Sequence, residues 1–388
     1  MTNALSICMV SDDFLPVMTG VGVHLKLITP ELVRRGHKVC VITTRRKGEP
    51  EVDQWHGVTI YRVFTLKAYG FYQALPSQAT IRSIVSRVKP DLVHHHYAGF
   101  MMRQVCVVAQ ARKLPQISTY HFSAEVLTQP LPMRPFRGLI HRLMVSFNNR
   151  FDMVIAPSEN LALQIAQEGI KTPIRYISNP VFAHGSDAVP AERSAGFVVL
   201  YAGRLGVEKN IGYLVKAFAA IAKDVPDALL WIAGRGPEGA ALEALCTRLG
   251  INDQVRFLGF LDHPTLARYF AGCDVFVLPS LQEAQPLVAM EAMCFGRPII
   301  VTSAIVAARE MVEPGVNGFI VDPNSVDDLA QKLKLLADDP AQRANLGKAS
   351  LQRAEAYKPE LVMDALELAY QDLLTQAGHG YPPSVPAN

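Results

Sequence analysis

Apolar residues along the chain follow two rhythms. Short runs, SICMV (6–10), HKVCVIT (37–43), VTIYRV (58–63), DLVHHH (91–96), QISTYH (116–121) and MVIAPS (153–158), read as strands. Between several of them, apolar positions recur every three or four residues, as in VHLKLITPELVRRG (23–36), where Gly36 closes the helix. A Gly-bearing loop separates the first run from that helix. A second series begins at FVVLYAG (197–203) and continues through ALLWIAG, QVRFLGF, VFVLPS, PIIVT and GFIVD, each followed by a helical or turn pattern. The stretch PELVMDALELAYQDLLTQ (359–376) is an amphipathic helix. Buried apolar strands alternating with helices predict an α/β fold of parallel, doubly wound sheets. Between the two series, AHGSDAVPAERSAG (183–196) has no apolar period and reads as a linker. The expected domains are therefore 1–182 and 197–357, with a tail over 378–388.

Composition agrees with this plan. A chain of 388 residues is too long for one ordinary core, and 49% hydrophobic with 19% charged content excludes disorder for most of it. The net charge of +3 conceals an asymmetry. Residues 1–183 hold 21 Lys/Arg against 11 Asp/Glu, net +10, so the remainder is net −7. Two surfaces with different partners are implied. The six cysteines are scattered with no CxxC pair and read as reduced thiols. The start, MTNALSICMVSDD, lacks a basic n-region, and no apolar run approaches 18 residues, so a cytoplasmic protein is expected.

The chemistry concentrates in LPSLQEAQPLVAMEAMCFGRPIIVT (278–302). A helix beginning near Pro286 leaves Glu283 in the preceding loop and Glu291 in the helix's second turn. Loop amides at such a helix start hold an anion, and a carboxylate beside it accepts hydrogen bonds from sugar hydroxyls. An isolated pair of acids eight apart would more commonly be helix-start residues favoured by the macrodipole. Here the pair has company: TGVGVH (19–24), GHKVCVIT (36–43), PDLVHHH (90–96), TYH (119–121), APSEN (156–160), YAGRLGVEKN (201–210), IAGRGPE (232–238), VRFLGF (255–260) and EAQPLVAMEAMCFGRP (283–298). These nine segments, in this order, resemble the retaining nucleotide-sugar glycosyltransferases of family 4, which have the two-domain GT-B fold.

The resemblance implies two Rossmann-like domains facing a cleft, with the helix of 358–377 crossing back to the first. It also implies roles for individual residues. Arg204 and Lys209 bind the donor diphosphate, Glu291 the ribose hydroxyls, and Glu283 faces the donor sugar. His121 lies near that sugar. Gly20 and Gly22 match the glycine loop after the first strand; Gly234, Gly236 and Phe260 match positions lining the nucleotide pocket. Ala284, Gln285, Pro286 and Leu287 form the loop that touches the sugar. Many relatives have Gly-Phe at Ala284-Gln285, which leaves the donor open: UDP-hexose is favoured, GDP-mannose the alternative. The family is largely metal-independent, and no cofactor or metal is assigned. Adjacent strand residues point to opposite faces, so His94, His95 and His96 do not converge on one ion. Asp12 and Asp13 lack DxD spacing and read as loop residues.

The front domain carries the acceptor in this fold. Arg82, Arg87 and Lys89 lie on one short amphipathic stretch (79–90). Arg134, Arg137 and Arg142 are interleaved with large apolar residues over 130–151. Such a pattern suits an anionic membrane surface, or else an ordinary helix with a solvated basic face. TYH followed by Glu125, together with Gln285, is similar to bacterial glycosyltransferases acting on diacylglycerol. The expected acceptor is a membrane lipid or lipid-linked glycan, with the enzyme peripheral on the inner face of the membrane. A soluble sugar, sugar phosphate or polysaccharide is the alternative. A nucleotide-sugar epimerase or a pyridoxal-phosphate phosphorylase would share the architecture. No nucleic-acid-binding signature is present.

Overall fold

The computed structural model describes residues 4–16, 19–68, 71–96, 99–121, 135–181, 188–191 and 196–378. The chain divides into two compact units, one of Met1–Pro180 with Pro359–Asn388 and one of Val181–Lys358.

The first unit is built on an eight-stranded sheet. Its strands are β1 (Ser6–Val10), β2 (Lys38–Thr44), β3 (Val52–Trp55), β4 (Val58–Val63), β7 (Leu92–His95), β8 (Gln116–Thr119), β9 (Met153–Ala156) and β10 (Ile174–Tyr176), with β5 (Thr65–Ala68) and β6 (Phe71–Ala74) forming a separate hairpin. The spatial order is β10-β9-β8-β7-β1-β2-β4-β3, and only β3 runs antiparallel to its neighbour. The helices are α1 (Gly20–Arg34), α2 (Gln78–Val88), α3 (Phe100–Ala111), α4 (Arg137–Asn148), α5 (Glu159–Gln167) and, from the chain's end, α13 (Pro359–Gln376). Thr19 caps α1 by accepting from the Gly22 amide, and Leu25, Ile28 and Leu32 pack its inner face onto the sheet.

Helix α13 belongs to this first core. Met363, Leu366, Tyr370 and Leu373 are buried in the same cluster as Ile7, Met9 and Leu25. Polar contacts fix its register: Arg35 reaches Glu367 at 3.2 Å, and His37 Nε2 lies 2.9 Å from the same carboxylate. Arg175 pairs with Asp372 at 2.6 Å.

The second unit is a six-stranded, wholly parallel sheet. It comprises β11 (Val198–Ala202), β12 (Leu229–Ala233), β13 (Val255–Gly259), β14 (Val275–Leu278), β15 (Ile299–Thr302) and β16 (Gly318–Val321). Helices α6 (Ile211–Ala222), α7 (Gly239–Leu249), α8 (His263–Gly272), α9 (Leu287–Cys294), α10 (Ala308–Met311), α11 (Val326–Asp338) and α12 (Pro340–Ala354) accompany it. The order β13-β12-β11-β14-β15-β16 is the doubly wound 3-2-1-4-5-6 arrangement. The strand order of each sheet reverses once, between β1 and β7 in the first and between β11 and β14 in the second. Open α/β sheets bind ligands outside the carboxyl ends of their strands at such a reversal.

The segment read as a linker starts late. Val181 and Phe197 both pack in the second core. Within the segment, the Ala191 amide donates to the Arg268 carbonyl at 3.1 Å and Arg268 Nε donates back to the Val189 carbonyl. Residues 188–191 are thus held to α8 rather than strung free; 183–187 and 192–195 lie outside the described residues, as does the tail beyond Gly378. All six cysteines are free. Among the described residues, no helix is long and apolar enough to cross a membrane.

Candidate active site

In the second unit, the reversal point gathers Arg204, Lys209 and Glu283. Arg204 follows β11, Lys209 sits in a single 3-10 turn (Val207–Lys209), and Glu283 lies in the loop between β14 and α9. Local packing shapes the first of these loops. Tyr201, fully buried, donates its hydroxyl to the Arg204 carbonyl at 2.9 Å. A side chain at Gly234 would strike the Gly203 carbonyl, and one at Gly236 the Leu205 carbonyl. Those two glycines are required by loop packing itself, whatever else they line. Arg204 is exposed and makes no ion pair among the described residues. Lys209 Nζ donates to Glu283 Oε1, which also takes the Ser280 hydroxyl at 3.3 Å. The Glu283 loop is clamped from behind, since its carbonyl accepts from the Val306 amide at 3.0 Å and that of Ala284 from the Ala307 amide at 3.1 Å.

Helix α9 opens at Leu287 with Pro286 as its cap residue. Ala284 is half-buried, and Gln285 and Pro286 are buried. Leu287 is partly buried against the second core. Glu291 points from the second turn of α9 with its side chain 15% exposed, and His263 Nδ1 stands 3.6 Å from its Oε1. Burial pushes the Glu291 carboxyl up to about 7. Phe260, just past β13, is 57% exposed, a large aromatic face free to stack on a planar ring.

In the first unit, the carboxyl ends of β1, β7 and β8 carry a different cluster. His121 follows β8, and its Nε2 lies 3.1 Å from His96 Nδ1. His24, in the second turn of α1, completes the group, its ring centroid 5.0 Å from that of His121 and 5.5 Å from that of His96. Burial holds all three imidazoles below the ordinary range, His24 at about 4, and for His121 the neighbouring His24 and His94 add to the effect. His94 and His95 have structural partners. His94 lies 2.7 Å from both the Tyr370 hydroxyl and the Thr119 hydroxyl, while His95 bonds Gln116 and stacks on Phe151. The alternation expected of a strand does separate His95 from His94 and His96, whose rings pack at 3.9 Å.

Gly20 and Gly22 depart from expectation. They form the first turn of α1 rather than a loop before it, because Thr19 caps the helix three residues earlier than the apolar pattern begins. Among the described residues, a side chain at Gly20 would meet nothing within 4 Å. Asp12 also departs. It is 2% exposed, both carboxylate oxygens lack a partner among the described residues, and burial with Asp13 beside it pushes it up to about 8.

The basic positions of this unit occupy two helices. Arg82 and Arg87 project from the outer face of α2, with Lys89 as its left-handed C-cap, while Ile81, Ile84 and Val85 face inward. Arg137 and Arg142 are exposed on α4, and Arg134 lies outside the described residues. Helix α4 buries only Met144 and Asn148. Phe136, Leu139 and Leu143 are 52%, 56% and 55% exposed beside those arginines. An ordinary amphipathic helix would have turned these side chains inward.

The two units match two family models in succession. Residues 18–183 match Glycosyltransferase Family 4, and residues 186–353 match Glycosyl transferases group 1. The chain belongs to the family 4 glycosyltransferases. The D-inositol 3-phosphate glycosyltransferase of Kribbella flavida is 29% identical over 91% of this glycosyltransferase and 90% of the relative. The alpha-monoglucosyldiacylglycerol synthase of Acholeplasma laidlawii is 27% identical over 94% and 96%. Anabaena HepE, crystallised with UDP and glucose, superposes with a TM-score of 0.77 at 20% identity, covering 95% of this chain and 100% of that one. The fold is GT-B.

Three groups of this glycosyltransferase escaped sequence reasoning. His24 and His96 are invisible as partners, since nothing in the sequence says that α1 and the end of β7 converge. The strand-order reversal is the signal that would have joined them. Asp12 stands beside Asp13, and only burial distinguishes the two.

Proposed function

We propose that this glycosyltransferase moves a hexose from a UDP-sugar to a hydroxyl of a membrane lipid or lipid-linked glycan, with retention of anomeric configuration. The observation that carries the donor half is the grouping of Arg204, Lys209 and Glu283 at the reversal point of the second sheet. An unpaired guanidinium and an ammonium there suit a diphosphate, and a carboxylate suits sugar hydroxyls. Glu291 takes the ribose hydroxyls, and Phe260 offers a face to the base. UDP in the HepE crystal supports the choice of base.

The reaction breaks the bond between the anomeric carbon and the diphosphate oxygen, and the electron pair leaves with the phosphate. Arg204 and Lys209 offset that growing charge; one such preorganised donor is worth about 10² to 10³ in rate. The acceptor oxygen then bonds the same face of the anomeric carbon. Its proton passes to the departing phosphate oxygen, so no protein nucleophile is required. His121 and Glu283 orient the sugar. The test is turnover of UDP- and GDP-hexoses with lipid extract and with soluble acceptors, followed by the product anomer. A β-linked product from an α-linked donor overturns retention.

The acceptor half rests on the exposed apolar and basic face of α4, which suits a peripheral enzyme on an anionic leaflet. The diacylglycerol-glycolipid synthase among the relatives agrees with it. A second reading has its own support. The Kribbella relative acts on a soluble inositol phosphate by its name, and a basic front half also suits a phosphate-bearing acceptor. Transfer to soluble phosphates but not to lipid extract decides for that reading.

A further inference from the structure

The histidine cluster of the first unit includes His121, proposed above to orient the sugar, and has the makings of a metal site as well. His24 comes from α1, His96 from the end of β7 and His121 from the end of β8. One ring nitrogen from each lies within 4.8 Å of the other two. Nδ1 of His24 is buried without a hydrogen-bond partner among the described residues. His24 is 7% exposed, so leaving that nitrogen unsatisfied costs free energy unless something takes its lone pair or proton. The His96–His121 nitrogen separation of 3.1 Å is close to the edge of a tetrahedral site, about 3.3 Å for metal–nitrogen bonds near 2.05 Å.

We propose that His24, His96 and His121 bind a divalent transition-metal cation of the zinc class. Three imidazoles with no carboxylate in the set favour Zn²⁺, Co²⁺ or Ni²⁺ over Mg²⁺ or Ca²⁺, which take oxygen ligands. Burial keeps the rings neutral, the form that ligates. Three protein ligands leave a tetrahedral ion one position for water or a hydroxyl. Scaffolding comes from behind, where the His94 ring packs against His96 at 3.9 Å between centroids and is itself held by Tyr370 and Thr119. The consequence for catalysis rests on the role proposed above for His121: a bound ion takes the nitrogen that would contact the sugar, so zinc inhibits transfer and a chelator restores it.

Titration of the metal-free protein with Co²⁺ tests the site without reference to activity. One equivalent should give the visible absorption of a tetrahedral nitrogen site, and Zn²⁺ should displace it. His24→Ala and His96→Ala should abolish the band, while His56→Asn, at an exposed histidine, should leave it unchanged. Because the first two positions are buried, the wild type also carries a test: Zn²⁺ should raise its unfolding temperature, and Mg²⁺ should not. No cobalt band and no zinc-induced shift in the wild type means a hydrogen-bonded imidazole cluster only, and overturns the proposal. A cobalt band without zinc inhibition of transfer keeps the site and rejects the sugar-contact role of His121.

Discussion

The ammonium of Lys209 donates to Oε1 of Glu283, across 74 residues of chain. A cation suited to phosphate and a carboxylate suited to sugar hydroxyls thus neutralise each other in the free protein. A nucleotide-diphosphate sugar would exchange this one pair for two, phosphate on Lys209 and hydroxyl on Glu283. Both side chains are 20% exposed, so the exchange takes place against partial solvent screening. Lys209→Ala is therefore expected to lower kcat/KM by about 10² to 10³. Glu283→Gln should also impair transfer. The double variant should cost less than the product of the two single losses, because each single change leaves the other charge unpaired. Strictly multiplicative losses in steady-state kinetics would show that the pair has no functional coupling.

The ribose role proposed for Glu291 predicts a pH dependence of donor binding. Its carboxyl is pushed up to about 7 by burial, and the ionised form is the better acceptor for two hydroxyls. Affinity for UDP should therefore fall as pH drops from 8 to 6. Stability runs the other way. A carboxyl raised in the folded state contributes stability in its protonated form, and that contribution is lost as pH rises through about 7. Glu291→Gln should flatten the affinity profile, weaken UDP at pH 8, and raise the unfolding midpoint there. Calorimetric titration at three pH values checks the first two, and a pH-independent wild type contradicts the role.

Most of the parallel strands of both sheets were legible because strands buried on both faces are near-continuous apolar runs. Strands β3, β5, β6 and β10 were not, since VDQW, TLKA, FYQA and IRY are short, mixed and at edges or outside the main sheets. Arg204, Lys209 and Glu283 were legible through motif order, and the structure groups them at one reversal point. The pairing of Lys209 with Glu283 was not legible, because spacing in sequence carries no distance in space. The exposure of Leu139 and Leu143 was left open: their helical period suits a core face or a membrane-facing one, and only the packing of α4 shows them exposed.

Asp12 should make alkaline pH destabilising. Its carboxylate oxygens are buried without a well-formed hydrogen bond among the described residues, and its carboxyl is pushed up to about 8, chiefly by that burial, the Ala74 backbone opposing the shift. Its protonated form is the stable one, so its contribution is full below about 4, the unfolded-state value, and is lost progressively as pH rises to about 8. Asp12→Asn keeps the shape and removes the charge. The variant's gain in denaturant midpoint over the wild type should be larger at pH 9 than at pH 5. Equal midpoints at both values would mean that Asp12 is ionised and solvated in the folded protein.

Helix α13 should stabilise the first unit although it is the last element of the chain. Leu373 is 1% exposed in that core, so Leu373→Ala is expected to cost about 2 to 5 kcal/mol. Tyr370→Phe removes only the hydroxyl that faces His94, at a cost of about 1 kcal/mol. Urea unfolding followed by a probe in each unit checks both. A Leu373→Ala variant whose first unit unfolds at the wild-type midpoint would show that the helix packs without stabilising.

Helix α4 should bind anionic membranes through two separable contributions. Phe136, Leu139 and Leu143 supply exposed apolar area, and Arg137 and Arg142 stand beside them. Burying apolar surface gives about 25 cal/mol per Å², while each arginine near a charged leaflet adds about 1 kcal/mol. Arg137→Gln with Arg142→Gln should therefore weaken binding to phosphatidylglycerol vesicles at low salt and change little at high salt. Leu139→Ser with Leu143→Ser should weaken binding at both. Vesicle co-sedimentation at two salt concentrations separates the two. Equal wild-type binding to neutral and anionic vesicles would remove the electrostatic contribution, and no binding to either would leave the soluble acceptor as the better reading.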